Sequence, residues 1–472
     1  MTQQPRGFDT IVEREQGLQR GLSTGQLSMI AIGGAIGTGL FLGSGFAIGF
    51  AGPSVLVSYA IGALIALLLM GCLAEMTVAH PTSGSFGAYA EHYIGPWAGF
   101  LVRYAYWASI VFAVGTEVTA IAVYMKFWFP AVPGWYWIVG FSAALIGVNA
   151  LSVKVFGAVE YVFSMLKIAA IVGFILLGAH LVYEAPAGSG VGLANYTSHG
   201  GFFPKGWWGM WVAVIVSIFS YLSIEMIAVA AGEARDPQQA VRRAFRATLF
   251  RLVFFYLLTL ALMLAIVPWT AAGVDESPFV KVMAATRVPG AASVINFVVL
   301  VAALSAMNSQ LYITTRMMFS LSRAGYAPER LGRVNARGVP AAALFLSAIG
   351  IALAAVLNVA YPEAAFTLMM SVSMFGAMFT WLMIFLTHLF FRRRYRGQAL
   401  VFRMWGFPST SVLGAALMLA ALATTYFTRE FRMTLLCGVP MLVLLSAVYA
   451  GWYRKRAPKG QPGLRPSTGH PS

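Results

Sequence analysis

The sequence predicts an all-α polytopic membrane protein, and three observations lead to that fold class. Of the 472 residues, 59% are hydrophobic and only 10% are charged, a balance unlike that of soluble globular domains. Apolar runs of about 20 residues, the length of a helix that crosses a bilayer, recur from one end of the chain to the other. The basic residues lie mostly between these runs. The lipid bilayer is therefore the expected surroundings of the chain.

Twelve apolar segments qualify as spans, and no soluble domain is expected beside them. Residues 1–25 and 457–472 are expected to be short flexible tails. The polar segment 81–93 is expected to lie along the inner membrane surface. The spans are expected at 26–50, 53–79, 97–129, 134–153, 159–183, 208–232, 246–269, 290–322, 340–360, 363–391, 410–427 and 433–453.

The basic residues predict the orientation of these spans. They cluster on the side that an even number of crossings from the N-terminus reaches, whereas the opposite loops hold few charges. By the positive-inside rule, both termini are expected in the cytoplasm. The net charge of +16 therefore serves topology, and no nucleic-acid partner is expected. The clusters are Arg6, Arg14 and Arg20; Arg235, Arg242, Arg243 and Arg246; Arg323, Arg330, Arg333 and Arg337; Arg392, Arg393, Arg394, Arg396 and Arg403; and Arg454, Lys455 and Arg456.

A glycine cluster in the first span predicts that its helix is interrupted. Four of the seven residues in Gly33–Gly39 (GGAIGTG) are glycine, and each glycine inside a helix costs roughly 1 kcal/mol relative to alanine. Unwound backbone is tolerated at membrane depth only where it is buried in protein or lines a cavity. The second half-helix would begin there with its positive dipole end, which suits a carboxylate. The other interpretation is close helix–helix packing through small residues.

A second interruption is predicted in the sixth span, at Phe219–Glu225 (FSYLSIE). Paired breaks in corresponding helices of two halves are typical of a transporter substrate site near the midplane. With breaks in spans one and six, residues 26–183 and 208–391 would form two inverted repeats of five spans each. Residues 410–453 would add two further spans outside the repeats.

Three ionisable residues are expected inside the membrane, where a charge costs about 2.5–3.5 kcal/mol on insertion scales. Glu117 lies about 30 Å from the inner end of span three, and Glu225 closes the second break. For both carboxylates the other interpretation is a structural polar network between helices. Lys167 in span five is either a proton carrier or a fixed cation in the place of a metal ion, and snorkelling to the interface is its alternative interpretation.

The residues indicate neither an enzyme nor a metal protein. No Ser/His, paired Asp or HExxH set characteristic of an intramembrane protease is visible in the spans, and no phosphate-binding motif suggests ATP coupling. The six histidines are dispersed, and both cysteines (Cys72 and Cys437) lie in apolar segments. We therefore expect no catalytic residues, no metal site and no cofactor. The sequence does not indicate an oligomeric state.

Five segments, in order and spacing, resemble the amino-acid permeases of the amino acid–polyamine–organocation superfamily, in particular the bacterial amino-acid transporter branch. The resemblance extends over essentially the whole chain. The segments are RGLSTGQLSMIAIGGAIGTGLFLGSG at 20–45, GTEVTAIAVYMKFWFP at 115–130, VNALSVKVFGAVEYVFSMLKIAAI at 148–171, FSYLSIEMIAVAAGEARDP at 219–237 and SAMNSQLYITTRMMFSLSRAGYAPERLGRVNARGVP at 305–340.

This resemblance implies a leucine-transporter-like fold, a 5+5 inverted repeat with two extra C-terminal helices. It also implies proton-driven uptake of an amino acid through the cytoplasmic (inner) membrane. Main-chain N–H groups of the first break would hold the substrate carboxylate, and carbonyls of both breaks would face its amino group. The implied substrate-binding residues are Ala35, Ile36, Gly37, Thr38, Gly39, Glu117, Phe219, Ser220, Leu222, Ser223 and Glu225, with Phe219 as a gate.

The resemblance further implies proton coupling through Lys167, Glu117 and Glu225, with Lys167 replacing the sodium ion of related transporters. Related chains usually have glycine where this one has Ser223, so the identity of the substrate is not carried over. Two other functions remain open at this point. One is an amino-acid exchanger of the same fold, and the other is an amino-acid sensor that no longer transports. The substrate is expected to be a small or medium neutral amino acid, although lysine-like substrates remain possible.

Overall fold

A computed structural model describes residues 7–16, 18, 22–186, 189–233, 237–271, 276–285, 288–395, 397, 400 and 402–453. The described residues form helices joined by turns and loops and contain no β-strand, so the predicted all-α class is confirmed. The C-terminal tail at 457–472, predicted to be flexible, lies outside the described residues.

Eleven helices extend from the N-terminal segment through span six. Short 3₁₀ turns connect several of them. They are α1 (Asp9–Arg14), α2 (Thr24–Ala35), α3 (Thr38–Phe41), α4 (Gly43–Ala51), α5 (Val55–Ala79), α6 (Ser85–Tyr93), α7 (Pro96–Lys126), α8 (Gly134–Leu151), α9 (Val153–Glu184), α10 (Gly206–Tyr221) and α11 (Met226–Ala230).

Eight further helices complete the bundle. The last of them continues into a π-helical turn at Tyr449–Tyr453. They are α12 (Pro237–Ile266), α13 (Pro278–Ala285), α14 (Ala291–Arg323), α15 (Ala341–Ser347), α16 (Ile349–Ala360), α17 (Ala365–Arg394), α18 (Ser409–Phe427) and α19 (Arg432–Val448).

Ten helical segments of the described residues are long and apolar enough to cross a membrane. The prediction of twelve spans is therefore confirmed only in part. Span one is divided among α2, α3 and α4, and its second half forms one continuous segment with span two (Gly43–Ala79). Span seven is not among the ten, because the apolar part of its helix whose side chains are described, Leu252–Ile266, is shorter than the other spans.

The most buried helices form the centre of the bundle. In an 18-residue apolar stretch of Gly206–Glu233 all residues are buried, and in the corresponding stretch of Pro96–Lys126 83% are buried. By contrast, only 11% of the corresponding stretch of Arg429–Gly451 is buried, so most of its side chains face outward. Helix α7 and the interrupted pair α10–α11 therefore lie in the interior of the bundle.

The segment before span one is not a flexible tail, so that expectation is wrong for residues 8–15. Helix α1 buries Ile11, and Glu15 directly after it is 4% exposed. The carboxylate of Glu15 accepts hydrogen bonds from the Thr82 hydroxyl and the Gly84 N–H, both at 2.7 Å, and pairs with Arg103 at 3.2 Å. A buried carboxylate needs such partners, and they fix the segment against the bundle.

Helix α6 carries the other half of this ionic cluster. Glu91 binds Arg14 through both carboxylate oxygens, at 2.8 and 2.5 Å, and Arg103 at 2.8 Å. Within the segment 81–93, expected along the membrane surface, residues 85–93 form this largely buried helix, whose Glu91 joins α1 to α7. We call Arg14, Glu15, Glu91 and Arg103 the N-terminal cluster.

Candidate functional site

The first predicted interruption is confirmed at Ile36–Gly37, between α2 and α3. Gly37 is extended, with φ −127° and ψ −153°, and precedes the first helical residue, Thr38. A side chain at Gly37 would have its Cβ 2.7 Å from the Cβ of Ala306 and 2.8 Å from Glu117 Oε1. Glycine is therefore needed here, because side chains of α14 and α7 lie in contact with the broken backbone.

The second predicted interruption is confirmed at residues 222–225, between α10 and α11. Leu222 leaves the helix with ψ 152°, and Ser223 has a φ of 77°. A left-handed conformation costs a residue other than glycine roughly 1–2 kcal/mol. The second break is thus held in a strained backbone turn with both residues buried.

The two breaks touch each other. A Cβ on Gly39 would lie 2.7 Å from Ser220 Cα and 3.2 Å from Phe219 Cδ1. The Ser220 hydroxyl donates to the Gly39 carbonyl at 2.8 Å. The Tyr256 hydroxyl lies 2.8 Å from the Ala35 and Ser220 carbonyls, and both can accept its hydrogen bond. Tyr256 therefore connects the ends of α2 and α10.

A carboxylate occupies the amide end of the first break. The main-chain N–H of Thr38 donates to Glu117 Oε2 at 3.3 Å, and Gln310 Nε2 donates to Glu117 Oε1 at 3.3 Å. Glu117 is only 2% exposed. Since the N–H groups that begin a helix carry a partial positive charge, they stabilise an anion at this point.

An ammonium group occupies the carbonyl end of the same break. Lys167 Nζ donates to the Ile36 carbonyl at 3.1 Å and to Ser305 Oγ at 2.8 Å. Lys167 is completely buried, so the snorkelling interpretation is wrong. The break thus has a cation at its carbonyl side and an anion at its amide side, as the dipoles of the two half-helices favour.

Glu225 stands at the second break and contacts neutral groups. Its carboxylate accepts from the Tyr106 hydroxyl at 2.7 Å, from Trp381 Nε1 at 3.2 Å and from the Ser223 N–H at 3.2 Å. Tyr106 lies on α7 and Trp381 on α17. Glu225 therefore ties the second break to two flanking helices.

All the residues that the sequence singled out as a site are buried around the two breaks. They are Ala35, Ile36, Gly37, Thr38, Gly39, Glu117, Lys167, Phe219, Ser220, Leu222, Ser223 and Glu225. Ten of these twelve residues belong to the breaks or their flanks, and the side chains of Glu117, Lys167 and Glu225 contact the backbone of the breaks.

Sequence reasoning missed the partners on α12 and α14. Tyr256, Gln310 and Ser305 make the contacts described above, although none was a candidate. A signal was present on α14, where Ser305, Asn308, Ser309 and Gln310 are four polar residues within six positions of a predicted span. Such a polar stripe is costly in a membrane unless it faces the protein interior.

Four buried polar atoms near the breaks have no hydrogen-bond partner within the described part of the chain. They are Thr38 Oγ1, Ser223 Oγ, Ser309 Oγ and Gln310 Oε1. A Cβ on Gly34 would lie 3.4 Å from Ser223 Cβ, so the Ser223 side chain lies against the end of α2. Buried polar groups are normally satisfied, and these four are available to a ligand or to water. Among the described residues, no group of three or more His, Cys, Asp or Glu side chains is placed to hold a metal.

Comparison with known proteins gives consistent similarities over the length of the chain. The family model described as "Amino acid permease" matches residues 26–461. The uncharacterised amino acid permease YtnA of Bacillus subtilis is 37% identical over 94% of this chain and 98% of its own length. The aromatic amino acid transport protein AroP of Salmonella typhimurium is 37% identical, over 92% and 95%. The gamma-aminobutyric acid permease of Bacillus subtilis is 36% identical, over 97% and 98%.

Proposed function

Because the chain belongs to the amino acid permease family, we propose that it imports an amino acid through the cytoplasmic membrane together with a proton. Family membership makes the chain a multi-pass membrane transporter of amino acids and not an enzyme. The proton coupling, the direction of transport and the identity of the membrane are the proposed part.

One observation carries the proposal: the first break binds one negative and one positive side chain of the protein itself. The Glu117 carboxylate accepts a hydrogen bond from the Thr38 N–H, and the Lys167 ammonium group donates one to the Ile36 carbonyl. An α-amino acid has the same two charged groups, a carboxylate and an ammonium group, bonded to one carbon atom. Its carboxylate fits the position of the Glu117 carboxylate, and its ammonium group fits the carbonyls of Ala35, Phe219 and Leu222 at the break edges.

Competition for the Thr38 N–H supplies a route to proton coupling. Two carboxylates close to one amide site repel each other, so the substrate and Glu117 cannot both bind it as anions. When Glu117 takes up a proton, it leaves the amide to the substrate. When the proton is lost on the other side, the Glu117 carboxylate returns to Thr38 and displaces the substrate. One proton therefore moves with each amino acid.

A neutral amino acid is the proposed substrate. Glu117 and Glu225 are both engaged by donors, so neither carboxylate is left for a cationic side chain. The Ser223 hydroxyl and the Gln310 carbonyl add two unpartnered polar atoms, and Phe219 adds an aromatic surface. The relatives named for aromatic amino acids and for gamma-aminobutyric acid define the first compounds to assay.

The proposed architecture follows the positions of the two breaks. Residues 26–183 and 208–391 would be the inverted repeats, 410–453 the added spans, and 1–25 and 457–472 the cytoplasmic tails. The contact of α3 with α10 at Gly39 and Ser220 supports a shared site between the repeats. Cysteine labelling from either side of the membrane tests the orientation of the termini.

Uptake into proteoliposomes tests the function. The purified protein is given labelled phenylalanine, tyrosine, histidine, alanine or gamma-aminobutyric acid, with and without an inward proton gradient. Symport predicts accumulation above equilibrium only with the gradient. An exchanger would show counterflow of labelled substrate that the gradient does not change, and a sensor would bind without uptake. Either of those results would overturn the symport proposal.

Two variants locate the coupling. The Glu117→Gln side chain can still form hydrogen bonds, but its amide cannot gain or lose a proton as a carboxylate does. We therefore expect counterflow to persist while gradient-driven accumulation is lost. In Lys167→Ala, loss of proton dependence with binding retained supports a coupling role for the lysine. Unchanged coupling in Lys167→Ala rejects that role.

A further inference from the structure

A second buried carboxylate, Glu160, lies behind Lys167 on the same helix. Glu160 is 0% exposed and lies two helical turns before Lys167 in α9, about 10.5 Å along the axis. Helical side chains lean toward the N-terminus of their helix, so Lys167 leans toward Glu160.

A serine hydroxyl of α14 joins the two charged groups. Lys167 Nζ donates to Ser305 Oγ at 2.8 Å, and Ser305 Oγ donates to Glu160 Oε1 through a short hydrogen bond. Both hydrogen bonds run in the same direction, from the ammonium group to the carboxylate. The arrangement is a hydroxyl-bridged pair of charged groups, and all three side chains are buried.

The remaining oxygen of Glu160 is held by amides. Asn308 Nδ2 donates to Glu160 Oε2 at 3.0 Å, and Asn149 Nδ2 donates to Asn308 Oδ1 at 2.8 Å. Ser164 Oγ lies 3.4 Å from Glu160 Oε1 and 2.9 Å from the Met29 carbonyl. The carboxylate thus contacts α14 directly, α8 through Asn308, and α2 through Ser164.

We propose that Glu160 is a positioning and proton-accepting residue for Lys167, and that Ser305 relays the proton between them. This inference rests on the proposed proton symport. The Lys167 ammonium gives a proton to Ser305 Oγ while the Ser305 hydroxyl gives its own proton to Glu160 Oε1. The products are a neutral amine, an intact hydroxyl and a carboxylic acid, so protons and charge balance.

The relay couples to the first break through the Ile36 carbonyl. The charged ammonium holds this carbonyl at the end of α2, and a neutral amine would hold it less strongly. Loss of the proton to Glu160 therefore loosens α2 from α9. In the proposed topology α9 begins on the cytoplasmic side, so Glu160 lies between Lys167 and the compartment that receives the proton.

Few other charges act on this pair. Among the described residues, Glu117 of α7 is the other ionisable group whose charge acts on Lys167. The neighbours of Glu160 on α14 and α8 are Ser305, Asn308 and Asn149, none of which titrates in this range. The pair and Glu117 thus form a single electrostatic unit.

The test measures substrate-coupled proton flux in proteoliposomes that contain a pH-sensitive dye. The probe is whichever amino acid of the uptake panel the wild type accumulates most. In Glu160→Gln we expect counterflow within threefold of wild type, with gradient-driven accumulation and substrate-induced acidification each reduced at least tenfold. Glu160→Asp should recover part of both. Ser305→Ala should reduce proton flux, whereas Ser322→Ala, on the same helix and remote from the pair, should not.

Double variants separate this role from a structural one. If Glu160 acts through Lys167, then Glu160→Gln should change nothing further in a Lys167→Met background. Additive losses, an equal loss of counterflow and accumulation in Glu160→Gln, or wild-type proton flux in that variant would each overturn the inference. Absence of gradient-driven uptake in the wild type would instead overturn the symport proposal, and the inference with it.

Discussion

Replacing Gly39 by alanine tests whether contact between the two breaks holds the site together. The added Cβ would lie 2.7 Å from Ser220 Cα and 3.1 Å from Ser220 N. Both are backbone atoms, so no side-chain rotation can relieve the overlap, and α3 must move away from α10. Overpacking of this kind costs about 1–3 kcal/mol, which corresponds to a factor of roughly 5 to 140 in an equilibrium constant.

Gly49→Ala is the matched control, because a Cβ there meets nothing within 4 Å in the same span. Both substitutions gain up to roughly 1 kcal/mol of helix propensity. We therefore expect Gly49→Ala to keep or raise the melting temperature in detergent and to keep uptake. Gly39→Ala should lower the melting temperature and reduce substrate affinity at least fivefold. Wild-type affinity and stability in Gly39→Ala would refute the contact between the breaks.

Three further predictions concern the backbone ties and the N-terminal cluster. Tyr256→Phe removes the hydroxyl that lies 2.8 Å from the Ala35 and Ser220 carbonyls, so thermal unfolding should show a loss of about 1–3 kcal/mol. Ser223→Gly relieves a φ of 77° and should raise the melting temperature, a gain of about 1 kcal/mol. Burial raises the pKa of Glu91, but the charges of Arg103 and Arg14 outweigh it and leave that pKa below the usual 4.5. The Glu91 ion pairs should therefore stabilise the fold fully above pH 4.5 and lose that effect as pH falls through the lowered value, as thermal unfolding against pH would report.

Each of these predictions has a contrary result. An unchanged melting temperature in Tyr256→Phe would show that the two carbonyls find other donors. A less stable Ser223→Gly would show that the Ser223 hydroxyl makes a stronger contact than its backbone strain costs. Glu91→Gln should flatten the acid loss of stability, and an unaltered pH profile in that variant would remove the N-terminal cluster as its cause.

The interruptions were predictable from sequence because they are local. Glycine weakens a helix wherever it occurs, so the cluster at Gly33–Gly39 marks the first break without knowledge of its neighbours. The second break was harder to recognise, since Ser223 occupies the left-handed position that glycine usually takes. It was recognisable from Glu225, whose charge is costly inside an apolar segment.

The contacts across helices were not predictable, because they depend on which faces meet. Tyr256 is one tyrosine among several in apolar segments, and only the packing of α12 brings its hydroxyl to both breaks. The partners of Glu160 on α14, Ser305 and Asn308, lie more than 140 residues away in the chain. The N-terminal segment was taken as flexible because its composition is polar, yet Glu15 is buried by partners more than 60 residues away in the chain.

A structure determined with a bound amino acid would show directly whether the substrate binds at the two breaks. We expect the substrate carboxylate on the Thr38 N–H, its ammonium group against carbonyls of the breaks, and the Glu117 side chain displaced from that amide. A substrate bound away from the breaks, or bound with Glu117 still on Thr38, would contradict this mode of binding.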